Sequence, residues 1–322
     1  MTTYDPNVFF TMVDRDGRLY QQVSFYGWRF EVPLQIVLGS AKMGESYLYW
    51  HGDQLYQHNV THLSANDAGD AELQQAAQWI NSPGYVDGDA AYARPIPSRC
   101  LDCHMTYVDF REPPNHYTPE SMILGVSCER CHGPGRDHVR YHQQHPQATR
   151  GEHIAQPGKL PRAEQLAICA QCHSGSTPLK GQPFAFRPGD AVEQHYVAAD
   201  PEAAVNLVHT SNQLTRLAES ACFEQSEMTC TDCHNPHQNE RGNRALFSER
   251  CLKCHESQAC GMSESLGPSI TANCIDCHMP KRAAEKLRFA TAEGNVFPPL
   301  RDHHVRVDEE ATKRFMAALE GG

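Results

Sequence analysis

The chain has 322 residues, a formal net charge of −11 from 28 Lys and Arg against 39 Asp and Glu, and an unusual stock of 14 cysteines and 19 histidines. An acidic balance of this size argues against a nucleic-acid partner and favours a basic partner or a positively charged docking patch. No apolar run approaches the roughly 20 residues that a membrane-spanning helix needs.

The first residues, Met1-Thr2-Thr3-Tyr4-Asp5-Pro6, are polar and do not read as a signal peptide. Strands are expected next. Phe9–Val13 and Leu19–Val23 flank Asp16-Gly17, a hairpin turn signal. Phe30–Leu38 reads as a further strand, broken or edged by Pro33. Gly39 and Gly44 flank a loop before the apolar run Tyr47–Trp50. Asp70 can cap a helix that puts Leu73, Ala76, Ala77 and Ile80 on one face and stops at Asn81-Ser82-Pro83-Gly84. From Arg99 to His278 the pattern predicts short helices and long loops. Within it, Pro161 opens a helix running through Leu166, and Leu214, Leu217 and Ala218 mark another that ends before Cys222. In the tail, Asp308 caps a helix with Ala311, Phe315 and Leu319 on one stripe.

The chemistry lies in six copies of Cys-x-x-Cys-His: Cys100/Cys103/His104, Cys128/Cys131/His132, Cys169/Cys172/His173, Cys230/Cys233/His234, Cys251/Cys254/His255 and Cys274/Cys277/His278. This is the attachment signal for c-type haem, in which the two thiols add to the haem vinyl groups and the adjacent histidine becomes the proximal iron ligand. Zinc would use the thiolate pairs but gives no reason for a histidine after every second cysteine. A thioredoxin-like motif would occur once. Six haems in 322 residues leave roughly 54 residues for each, too few for an ordinary core. The porphyrins must then supply much of the apolar interior, which reconciles a mean hydropathy of −0.58 with a compact chain. The motifs start 28, 41, 61, 21 and 23 residues apart, too irregularly for a solenoid repeat.

Thirteen histidines remain after the six proximal ones: His51, His58, His62, His116, His138, His142, His145, His153, His195, His209, His237, His303 and His304. Any single one reads as an ordinary surface or hydrogen-bonding residue, but the excess points to distal haem ligands. His237, three residues beyond His234 in His234-Asn235-Pro236-His237, cannot easily turn back to the same iron and is expected to ligate a neighbouring haem. His138, across the Gly133-Pro134-Gly135 turn from His132, invites the same argument. His116 and His62 complete the candidates, in competition with His58, His51 and His195. Met105 and Met279 directly follow proximal histidines and cannot reach the opposite iron face. Cys222 and Cys260 lie outside the motifs. In an oxidising compartment they are expected to pair, with free thiols or a haem-ligating cysteine as alternatives.

With these residues in place, the chain resembles the bacterial multihaem cytochromes c with doubled Cys-x-x-Cys-His motifs, related to the tetrahaem electron carrier of ammonia oxidisers. The resemblance rests on Gly39-Ser40 through Leu55, Ser82–Tyr85, Arg99–His104, Leu124–Gly135, Met228–His237, Cys277–Lys281 and Asp302-His303. It implies electron transfer, bis-histidine haems and a loop-and-helix fold, and it supports His138, His209, His237 and His303 as ligands. Members often carry a further haem motif and a distal histidine before the region matched here. Neither is present, so one haem would take His51, His58, His62 or another subunit's histidine, or stay open.

The expected fold is therefore mainly α with extensive loops, wrapped around six covalent haems, with a small N-terminal β region. Its expected units are residues 1–95, a hairpin and helix region; 96–306, the haem core; and 307–322, a C-terminal helix. The leading function is an electron relay through six mostly bis-histidine c-type haems, exchanging electrons with other cytochromes or a membrane quinol-linked complex. The alternatives are an oxidoreductase with one open haem and nitrite- or hydroxylamine-type chemistry, and a subunit of a cytochrome filament or oligomer. Haem attachment of this kind places the protein in the periplasm or outside the cell, with an export signal expected on a longer precursor.

Overall fold

Asp16 and Gly17 both have positive φ, 55° and 78°, and turn the chain tightly enough to pair β1 (Val8–Arg15) with β2 (Arg18–Phe25) over their full length. Two consecutive positive-φ residues give the turn whose twist matches paired strands. Tyr26 and Gly27 repeat the device, at 48° and 86°, and bring in β3 (Trp28–Pro33) to complete a three-stranded antiparallel sheet. The computed structural model describes residues 1–39, 44–63, 78–175, 177–200 and 207–320.

Pro33 separates two sheets. Beyond it, β4 (Ile36–Leu38) joins β5 (Gly44–His51), β6 (Gln54–Gln57), β7 (Val60–Leu63), β8 (Gln78–Asn81), β9 (Met105–Arg111) and β10 (His116–Leu124). The order is β8-β7-β5-β6-β10-β9, with β4 paired to β5. This sheet packs one face into the main core: Ile36, Leu38, Leu48, Leu55, Val108 and Tyr117 meet Leu101 of the first motif. Two small ribbons follow, β11 (Lys281–Ala283) with β14 (Pro299–Arg301), and β12 (Phe289–Thr291) with β13 (Gly294–Val296).

Helix accounts for 31% of the chain and strand for 26%, so the expectation of a mainly α fold is corrected: this is a mixed fold with several sheets. The largest departure is β9–β10, a long hairpin between the first two haem motifs, in a stretch read as short helices and loops. Ile80, placed on a helix face from sequence, lies in β8 opposite Thr61. The rest of that helix, from Asp70 through Ala77, falls outside the described residues.

Other expectations hold. Pro161 immediately precedes the helix Arg162–His173, which carries the third motif. A helix spans Gln213–Ala218, and a further turn, Ala221–Glu224, contains Cys222. The Asp308 carboxylate accepts the Ala311 N–H at 2.9 Å and caps Glu309–Glu320. Ala311 is buried and Phe315 half-buried, but Leu319 is exposed, so the packing stripe covers only the first turns.

Candidate haem-binding site

Each motif starts or lies in a helical turn: Ser98–His104, Cys128–His132, the end of Arg162–His173, Cys230–Cys233, the end of Arg244–Cys251, and Ile275–His278. The fourth is closed by a capping box, with Thr229 and Asp232 satisfying each other's turn.

The attachment residues differ in exposure: Cys128, Cys254, His104, His173, His234 and His255 are exposed, and the other motif cysteines and proximal histidines are partly buried. In the fifth motif, Cys251 ends its helix half-buried, but Cys254 and His255 lie in the turn beyond it and are exposed. The cause is local. The helix stops at Cys251, and the turn that follows carries polar Lys253 and Glu256, which are themselves exposed and hold the segment at the surface. The spacing of the motif survives, because the Cys254 and His255 N–H groups both donate to the Cys251 carbonyl, at 3.2 and 3.0 Å.

The motifs are drawn together through their cysteines. The Cys103 and Cys172 thiols share a hydrogen bond, which lowers the Cys103 pKa and, with burial, raises that of Cys172. Cys169 and Cys230 share another, raising Cys169 and lowering Cys230. The third motif therefore touches both the first and the fourth.

A second set of links comes from the residue before the second cysteine. Asp102, fully buried in the first motif, accepts hydrogen bonds from Arg99 at 3.0 Å, Arg130 at 2.9 Å, the Tyr196 hydroxyl at 2.9 Å and the Phe184 N–H at 2.8 Å. Arg130 holds the same position in the second motif, and Gln171 in the third. Gln171 donates to the Arg130 carbonyl at 3.3 Å, and Arg99 donates to the Gln171 carbonyl at 2.8 Å. Sequence reading missed these residues. The available signal was that this position is polar in all six motifs: Asp102, Arg130, Gln171, Asp232, Lys253 and Asp276.

Three proximal histidines are oriented by carbonyl oxygens that accept from Nδ1: His132 from Ala155 at 2.8 Å, His173 from Thr210 at 2.7 Å and His278 from Arg306 at 3.0 Å. A carbonyl only accepts, so Nδ1 carries the proton and Nε2 keeps its lone pair for a metal.

Two candidate distal histidines stand opposite proximal ones. His237 faces His132 with ring centroids 6.0 Å apart and planes 19° from parallel. His303 faces His234 at 6.1 Å and 22°. A metal held by Nε2 of two opposed imidazoles lies about 2 Å from each nitrogen, which puts the ring centroids about 6 Å apart. Both pairs match that separation, and these four histidines would hold the irons of two haems through Nε2. His303 donates Nδ1–H to the Arg301 carbonyl at 3.2 Å, and burial pushes its pKa down to about 4, so it stands neutral and able to ligate.

The remaining candidates vary. His138, in the helix Arg136–Gln144, donates Nδ1–H to the Glu152 carbonyl at 2.7 Å, as the proximal rings do. Its ring lies edge-on to His142, with centroids 4.6 Å apart. His209 has Nδ1 against the Ser211 hydroxyl at 2.8 Å, and burial lowers its pKa. His116 has both ring nitrogens engaged in the sheet, with Asp53 at 2.9 Å and Gln54 at 3.2 Å. His62 packs on Trp79 with centroids 4.8 Å apart. Of the competitors, His58 is buried with Nε2 on the Pro33 carbonyl, His195 is paired with Asp190 at 2.8 Å, and His51 lies beside Tyr56.

The expected Cys222–Cys260 disulfide is not formed; both are free thiols.

Two cavities adjoin the motifs. One of about 520 Å³ lies beside the second motif, lined by Tyr107, Arg130, Arg136, Phe184, Phe186 and Arg187 among others. The other, of about 510 Å³ beyond the sixth motif, has Lys281, Arg282, Lys286 and Arg314 among its lining residues.

The motifs, their spacing and the comparisons with known proteins point to a class: the chain is similar to the multihaem c-type cytochromes, which carry covalent haem. The Cytochrome c554 and c-prime family matches residues 53–133. The multiheme cytochrome MtrA of Shewanella baltica is 29% identical over 47% of this chain and 46% of its own length. The dissimilatory sulfite reductase MccA of Wolinella succinogenes is 25% identical over 85% of this chain and 42% of its own. Cytochrome c-554 of Nitrosomonas europaea is 30% identical over 28% and 41%. The chain thus spans less than half the length of these curated relatives. No solved structure matches it.

Proposed function

We propose that this cytochrome relays single electrons between redox proteins through six covalent c-type haems, one on each Cys-x-x-Cys-His motif. The observation that carries the reading is the pair of opposed histidines, His132 with His237 and His234 with His303. An iron held on both faces by imidazole has no coordination position left for substrate, which suits a carrier. His234 and His237 belong to one turn, so a single short segment serves the second and fourth haems and holds them as neighbours. His138 is the next candidate for a distal ligand and His209, whose Nδ1 accepts the Ser211 N–H, follows it, while His116 has both ring nitrogens engaged in the sheet.

The haem supplies the electron-accepting iron. The chain supplies axial nitrogens, buried charge and exclusion of water, which set the potentials. Other cytochromes or a quinol-linked complex fit as partners, outside the cytoplasm. Denaturing mass spectrometry of the purified protein tests the count. Six haem increments on the polypeptide are expected, and fewer would reduce the relay.

A second reading is favoured by one comparison: the relative matched over 85% of this chain is a sulfite reductase. One haem kept open for an oxyanion would then make the chain an oxidoreductase. Sulfite or nitrite added to the oxidised protein separates the two, since an open haem shifts its Soret band on binding and a fully ligated set does not.

A further inference from the structure

We infer that Asp102 is a shared electrostatic anchor that sets the potentials of the first, second and third haem sites together. The inference rests on the relay reading, because it concerns how easily electrons pass among neighbouring haems.

Asp102, Arg130 and Gln171 occupy the same place in three motifs, between the two haem-bearing cysteines, and they meet in the interior. Asp102 is fully buried and Arg130 nearly so. Arg99, just ahead of the first motif, brings a second guanidinium, which also donates to Cys103 Sγ at 2.9 Å and lies over the Tyr196 ring at 4.5 Å. One guanidinium and one carboxylate are thus buried at the junction of three attachment loops, with the partly buried Arg99 beside them. Charges buried this way are weakly screened and act strongly on nearby redox centres. Positive charge favours ferrous over ferric haem, and the Asp102 carboxylate offsets it. The Tyr196 O–H, pointed at Asp102 Oδ2, trims the carboxylate's effect.

A purely structural hub would hold the loops in place without a preferred direction of change in potential. An electrostatic one makes two predictions of opposite sign. Asp102→Asn removes the negative charge and raises midpoint potentials. Tyr196→Phe removes a hydrogen bond to the carboxylate, leaves its charge less compensated and lowers them.

The experiment is spectroelectrochemical titration of the full-length holoprotein and both variants, with the haem count of each checked by mass. An upward shift of part of the titration curve in Asp102→Asn, and a smaller downward shift of the same part in Tyr196→Phe, is the expected result. Unchanged potentials in both, or shifts of the same sign, overturn the inference. If Asp102→Asn does not mature with its haems, Tyr196→Phe decides alone: a downward shift supports the anchor, and no shift or an upward one overturns it. Failure of the relay reading itself would show in the haem count or in substrate binding, not in these signs.

Discussion

His132 and His237 face each other across 6.0 Å with their imidazole planes 19° apart, although they come from different haem motifs. The turn after His234 thus reaches across to a different haem site. Replacing His237 by Ala should leave every haem attached and convert one from low-spin to high-spin. Electron paramagnetic resonance together with intact mass would register this. A spectrum unchanged from wild type would remove His237 from the ligand set.

His303 opposite His234 allows a subtler change. Methionine is an axial ligand that raises haem potential relative to histidine. His303→Met is expected to keep all haems low-spin and move one midpoint upward. Redox titration checks it, and an unaltered titration curve would count against the pairing.

The segment between these histidines is held by a clamp. Arg250 pairs with both oxygens of Glu240, at 2.6 and 2.5 Å, and donates to the Cys233 carbonyl. Glu240 also accepts the Asn235 N–H at 3.0 Å. The Arg250 hydrogen bond, helped by Asn235, lowers the Glu240 pKa from 4.5 to about 2. A carboxylate depressed in the folded state contributes stability that is fully present above its unfolded pKa and lost as pH falls through the folded one. Glu240 should therefore begin to lose its contribution below about pH 4.5 and lose it fully below about pH 2. Acid titration followed by the low-spin Soret band should show a shallower dependence across this window in Glu240→Gln. An identical profile would mean that the clamp does not hold the turn.

Leu101 fastens the first motif to the sheet, fully buried among Leu48, Leu55, Val108 and Tyr117. Leu101→Ala should cost about 2–5 kcal/mol through lost burial and the cavity left behind. Denaturant unfolding of the holoprotein measures this, and a cost under about 1 kcal/mol would place the anchorage elsewhere.

The sequence made the attachment chemistry and the β1–β2 turn legible because both are local: a Cys-x-x-Cys-His is complete within five residues, and Asp16-Gly17 carries its own backbone preference. It also marked His237 and His303 as residues looking for an iron. It did not show that they sit opposite His132 and His234, because distant chain segments set that pairing. Nor did it show that the first and third motifs pack together through Arg99, Cys103 and Gln171, since identical motifs differ only in what surrounds them. The β9–β10 hairpin was missed for another reason. Tyr107 through Arg111 alternates exposed and inward residues, but the run is flanked by haem motifs, and the expectation of loops there outweighed the alternation. Ile80 fitted a helical spacing with Leu73, Ala76 and Ala77, yet its pairing with β7 makes it a strand residue.

The measurement that tests the relay most directly is low-temperature electron paramagnetic resonance of the fully oxidised protein, integrated against its haem content. The account predicts low-spin ferric signals for all six haems and no high-spin component, before or after adding sulfite or nitrite. A high-spin signal worth one haem per chain, altered by either anion, would contradict it and make the chain an enzyme with an open iron.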